Sequence, residues 1–174
     1  MEKMPHKSVI RDHVNALILA GKFITIHARK RPEGMNPYIN GQTFPGRSVP
    51  RIEVYYPLAG TDTRDDVVAH ECAHIYYADM RQDKYYLEME AIKIIANIEP
   101  ELIDFYNHRG DLGEECVVRL ADLRRQGRRL PRMSPRLDAI TRTLSTPKPF
   151  RAAFFCAPLI AALMAFAVPL AVLS

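Results

Sequence analysis

Thr63-Arg64-Asp65-Asp66-Val67-Val68-Ala69-His70-Glu71-Cys72-Ala73-His74 is the stretch that decides how the rest of the chain is read. It ends in an H-E-x-x-H pentapeptide. Thr63 offers a capping hydroxyl, and Asp65 and Asp66 suit the positive end of a helix dipole. No Pro or Gly interrupts the chain through Ile75, Tyr76, Tyr77 and Ala78. A helix over about 64–79 is therefore predicted. On a helix, positions i and i+4 share a face, so the two imidazoles converge on one point, with Glu71 beside it. Two neutral imidazoles, plus a carboxylate able to take a proton from water activated by the metal, are the minimum equipment of a zinc hydrolase. Chance alone places this pattern in roughly one such chain in a hundred, so the helical context carries the weight.

The 174 residues fit one domain with additions, and 48% hydrophobic content is ample for a core. Three cysteines, Cys72, Cys116 and Cys156, are scattered and odd in number, which gives neither a disulfide framework nor a Cys-pair metal site. A reducing, cytosolic setting is the simplest fit. The N-terminal Met1-Glu2-Lys3-Met4-Pro5-His6-Lys7 has no apolar core of the secretory kind, so no signal peptide is expected.

The net charge of +4 hides a division into three blocks. Residues 1–118 hold 14 Lys/Arg against 18 Asp/Glu, and residues 119–151 hold 10 Lys/Arg against Asp122 and Asp138 alone. From Ala152 to Leu173, 22 residues carry no polar side chain. About 20 apolar residues suffice to span a bilayer as a helix. Lys/Arg excess beside a span marks its cytoplasmic side. The expected organisation is a catalytic domain over 1–118, a basic linker over 119–151 touching lipid head groups, and a transmembrane tail anchor over 152–173. That arrangement places the domain in the cytoplasm, on the inner face of the membrane. The arginines show no aromatic interleaving and no binding motif, which argues against a nucleic-acid partner.

Along the folded part, Val9, Ile10, His13, Val14, Leu17 and Ile18 recur at helical spacing before Gly21. Phe23–Ala28 reads as a strand, as does 52–56, which Pro57 stops. Between them Asn40-Gly41 suits a hairpin turn linking short strands near 38–39 and 43–44. Helices are predicted over about 84–98, 101–108 and 113–126. The order is an α+β layout with a small antiparallel sheet, the motif helix and C-terminal helices. A sheet edge there can hold an extended peptide beside the metal.

A catalytic zinc takes three protein ligands and leaves a fourth position open. At about 100° per residue, Leu87, Ala91, Ile94, Ile95 and Ile98 form one face of the helix after the motif. Glu88 borders that face, whereas Glu90 falls on the solvated side with Lys93 and Asn97. Glu88 is the preferred third ligand, Glu90 the alternative, and His108 the outsider. His27 reads as an ordinary histidine, and His6 and His13 carry no signal. Tyr76, Tyr77, Tyr85 and Tyr86 read as packing residues, one of which could donate to an oxyanion.

A strand, then H-E-x-x-H, then Glu88-Met89-Glu90-Ala91 about fourteen residues on, resembles the ImmA/IrrE family of metallopeptidases over roughly residues 8–110. Those zincins occur in phages and integrated elements and in stress regulation, where members cleave a repressor. Their usual E-x-E-A-N-x-F-A is departed from here: Ile92 stands at the Asn or Asp position and Ile94-Ile95 replace Phe-Ala. Loss of that polar residue removes a supporting contact. The basic block and the apolar tail fall outside the family pattern. The resemblance implies a gluzincin-like zinc endopeptidase with His70, His74 and Glu88 on the metal and Glu71 as catalytic base. Its substrate would be a specific regulatory protein such as a helix-turn-helix repressor. Three other functions stay open, in this order: an inactive zinc-binding domain that regulates by protein contact, a membrane-associated effector, and DNA binding through the arginine block.

Overall fold

The computed structural model describes residues 9–19, 21–44, 49–80, 83–107 and 110–146. His6, His108 and the apolar run 152–173 lie outside the described residues. Nine elements follow one another: α1 (Val9–Leu19), β1 (Thr25–Lys30), β2 (Gly41–Phe44), β3 (Arg51–Tyr56), α2 (Arg64–Asp79), α3 (Tyr85–Ile98), α4 (Pro100–Tyr106), α5 (Leu112–Arg125) and α6 (Pro135–Ser145).

The motif helix α2 occupies the bounds its sequence predicts, and its start is fixed by side chains. Asp66 N donates to Thr63 Oγ1 at 3.2 Å, and Thr63 N donates back to Asp66 Oδ2 at 3.1 Å, a reciprocal capping box. The helix is buried on two sides. Val67, Val68, Cys72 and Ile75 pack against Leu17 of α1 and against Ile52 and Val54 of β3. Ala73 and Tyr77 join a larger helical cluster with Leu87, Ala91 and Ile95 of α3, Val117 and Leu120 of α5, and Leu137 and Leu144 of α6. A helix flanked by two cores has no single apolar stripe. Each fully buried Leu, Ile or Val contributes on the order of 1.5–3 kcal/mol, so α2 is held firmly from both sides.

The sheet has three strands in the order β1-β3-β2 and is mixed, not antiparallel. β1 runs parallel to β3, with Ile26 opposite Ile52 and Ala28 opposite Val54, while β2 is antiparallel to β3. β3 therefore sits between the two earlier strands, leaving β2 as an edge. The Asn40-Gly41 hairpin does not form. Asn40 is instead buried, accepting from Ala59 N at 2.7 Å and donating to Ala59 O and Asp62 Oδ2 at 2.9 Å each. Its amide ties the start of β2 to the loop before α2, where a turn between two strands was expected.

The basic block takes a role other than a solvated linker. α5 runs on to Arg125, and α6 folds back with Leu137, Ile140 and Leu144 in the helical core. Leu137 N donates to Ser134 Oγ at 3.2 Å, and Pro135 occupies the first turn. Arg124 pairs with Asp138 at 2.5 Å, and Asp138 with Arg142 at 2.8 Å. Arg124 thus joins α5 to α6, and Arg142 braces α6 within itself.

The expected transmembrane helix, and the membrane anchoring and inner-membrane location drawn from it, are corrected. Among the described residues no helix is long and apolar enough to cross a membrane. The longest, α2, has 16 residues. At 1.5 Å per residue it spans roughly 24 Å, short of the hydrocarbon core of about 30 Å.

Candidate metal centre

His70 and His74 emerge one turn apart from the only side of α2 that faces neither core. Their Nε2 atoms stand 3.1 Å apart. A carboxylate from α5 straddles them: Glu115 Oε2 lies 3.4 Å from His70 Nε2 and Oε1 lies 3.4 Å from His74 Nε2. Among the described residues, His70, His74 and Glu115 form the one group that could hold a metal ion. Tetrahedral ligands at about 2.0–2.1 Å from zinc are about 3.3–3.4 Å from each other. The two Nε2 atoms are close to such an edge, and each stands at edge length from a different oxygen of Glu115.

The far side of each imidazole supports the same conclusion. His70 Nδ1 meets Asp122 Oδ2 at 2.6 Å, and His74 Nδ1 meets Glu114 Oε1 at 2.6 Å. A carboxylate accepts only, so each Nδ1 carries a hydrogen, and Nε2 is the nitrogen that faces Glu115 and would bind a metal once free of its own proton. The carboxylates crowded round the two imidazoles favour positive charge at this point, carried by protons or by a bound cation. Burial alone would depress both histidines, yet Asp122 and Glu115 hold His70 well above its ordinary value. Glu114 and Glu115 likewise lift His74 to about 9. Burial works to raise Glu115, and its contacts with the two imidazoles overcome it and hold the carboxyl well below the usual range.

Glu71 is buried beside the cluster. Burial pushes its carboxyl upward despite the imidazoles and Thr43. The Thr43 hydroxyl, on β2, lies 2.7 Å from Glu71 Oε2 and 3.0 Å from the Glu71 carbonyl oxygen. At Gly41 a Cβ would fall 2.6 Å from Val67 Cγ1 and 2.7 Å from Glu71 Oε1, so only glycine lets the strand lie this close to the base.

Glu88 and Glu90 do not join the cluster. Glu88 Oε1 accepts from the hydroxyl of buried Tyr77 at 3.0 Å, between α3 and α2. Glu90 Oε1 accepts from Ser134 N at 2.6 Å and so anchors the start of α6. Ile92 packs on the helical core and takes no part in the site. His27 is half-buried in β1, and His13 is buried with Nε2 3.2 Å from Leu144 O. Tyr85 and Tyr86 are exposed on α3, and the tyrosines that line the cleft are Tyr38 and Tyr106.

The acidic side chains around the histidines, Glu114, Glu115 and Asp122, all come from α5. Seven residues are close to two full turns, so Glu115 and Asp122 lie on one face. An acidic pair followed by a third acid at that spacing, on a helix whose other face is apolar, was a readable signal. Thr43 had none, because its role depends on β2 being the edge beside α2.

A cavity of about 900 Å³ opens over the cluster. One wall is Tyr38 to Thr43, and the other is Leu102, Phe105 and Tyr106 of α4 with the start of α5. Tyr55 N donates to Asn40 O at 2.8 Å, which makes that a hydrogen-bonded pair. By alternation, Gly41 and Thr43 turn their N–H and C=O away from β3 toward the cleft. Compared with known proteins, the chain matches no family model, no curated protein and no solved structure, which leaves the site's own residues to carry its interpretation.

Proposed function

We propose that the chain is a zinc-dependent peptidase, with His70, His74 and Glu115 as the protein ligands and Glu71 as the general base. What carries the reading is the convergence of both Nε2 atoms, 3.1 Å apart, on the Glu115 carboxylate, each 3.4 Å from one of its oxygens. When bound, the metal supplies Lewis acidity and water activated near neutral pH. Glu71 would take a proton from the attacking water and hand it to the leaving nitrogen of the peptide. The Thr43 hydroxyl orients the Glu71 carboxylate from 2.7 Å. Asp122 and Glu114 keep both imidazoles in the tautomer a metal requires. The open edge of β2 suits an extended substrate chain held by main-chain hydrogen bonds.

The similarity of the motif region to the ImmA/IrrE peptidases suggests a specific regulatory protein as substrate, a helix-turn-helix repressor being the family's pattern. The departure lies in the third ligand, which comes from α5 and not from the E-x-E-A stretch on α3. The reading is tested by digesting a peptide library with zinc-loaded protein and counting new termini by mass spectrometry. Wild type should cut, and Glu71→Gln should bind zinc equally and not cut. Equal cutting by Glu71→Gln, or none by zinc-loaded wild type, refutes it.

A further inference from the structure

The two histidines of the cluster are braced unequally. The brace on His74 is Glu114, a third exposed, which makes no ion pair with an arginine among the described residues. The brace on His70 is Asp122, which is buried and itself gripped: its Oδ1 accepts from Arg125 Nη2 at 2.8 Å. The same guanidinium, 9% exposed, reaches Asp66 Oδ1 at 2.7 Å through Nη1. Asp66 stands one turn before His70 on α2, where the Thr63 capping box pins it. Asp66 and His70 on one helix, with Asp122 and Arg125 on the other, thus make a continuous bridge between α2 and α5.

We propose that Arg125 is a positioning residue for the metal, acting through Asp122. With both oxygens engaged, the Asp122 carboxylate has one orientation, and His70 Nδ1–H has one place to point. The same bridge sets the spacing of α2, which carries the two histidines, against α5, which carries Glu115. Spanning two carboxylates takes the fixed fork of an arginine, and a lysine ammonium, as a point charge, cannot hold both. The inference rests on the metal reading of the cluster.

Arg124 supplies the control. It lies on the same helix and carries the same charge. It ties α5 to α6 through Asp138 and makes no bond to the histidines or their carboxylates. The experiment is zinc affinity of the full-length chain by competition with a chromophoric chelator, with the visible spectrum of the cobalt form as a second readout. Arg125→Met should weaken zinc about tenfold and alter the cobalt spectrum, in line with the 10–100-fold cost of losing supports around metal ligands. Arg125→Lys, which keeps the charge and guards against a misfolded Met variant, should lose nearly as much. Arg124→Met should lower stability and leave zinc affinity unchanged. In an Asp122→Asn background, Arg125→Met should cost nothing further. Wild-type affinity in Arg125→Met or Arg125→Lys overturns the proposal, and so does an equal loss in the Asp122→Asn background. A wild-type chain that binds no zinc overturns the metal reading itself, and with it this role for Arg125.

Discussion

Gly113→Ala tests the geometry that delivers Glu115 to the histidines. Gly113 is the second residue of α5, where a Cβ would fall 2.7 Å from Glu88 Cβ and 2.8 Å from Glu88 Oε2. Carbon atoms in good contact sit about 3.5–4.0 Å apart, so close to 1 Å of separation is missing. Glu88 Cβ is fixed in place by the α3 backbone, so rotating the side chain cannot relieve the overlap; the two helices must part. Overpacking of this kind costs about 1–3 kcal/mol. Against it stands the helix preference of Ala over Gly, at most about 1 kcal/mol and smaller in a first turn. The net is a destabilisation of about 1–2 kcal/mol, which lowers Tm by roughly 2–8 °C in a domain of this size. Glu114 and Glu115 follow directly, so the displacement also reaches the cluster, and zinc affinity should fall in the same variant. Calorimetry with and without zinc, together with chelator competition, measures both. A variant as stable as wild type, with unchanged zinc affinity, would refute the close α3–α5 approach.

Thr43→Val removes the hydroxyl that holds Glu71. Leaving that buried carboxylate short of a partner should cost about 1–3 kcal/mol in urea unfolding. It should also lower the turnover number while zinc binding is retained; unchanged turnover would remove Thr43 from the site. Leu137→Ala empties a fully buried position on α6 and should cost about 2–5 kcal/mol by the same unfolding assay. A cost near zero would mean that residues 134–146 do not belong to the core.

Local signals in the sequence were strong where one stretch of chain suffices. The Thr63 cap, the first-turn aspartates and the unbroken run to Ala78 fixed α2 and hence the His70–His74 convergence, because helix geometry alone brings i and i+4 together. Partners from distant elements were harder to read. Glu88 borders the apolar face of α3 as expected, but Tyr77 claims its carboxylate, and which helix presents an acid to the histidines depends on how α3 and α5 stack on α2. α6 went unrecognised because its arginines dominated the composition, although Ser134-Pro135 with Leu137, Ile140 and Leu144 is a capped amphipathic pattern. The direction of β1 relative to β3 depends on the path of residues 31–50, on which strand propensity is silent.

The central claim is that Glu115, from α5, completes the metal site. Metal content after loading and desalting, read in wild type, Glu115→Ala and Glu88→Ala, tests it most directly. The account predicts about one zinc per chain in wild type. Glu115→Ala should lose it, and Glu88→Ala should keep it in the folded protein. Zinc retained by Glu115→Ala and lost by Glu88→Ala would contradict the account and return the third ligand to α3.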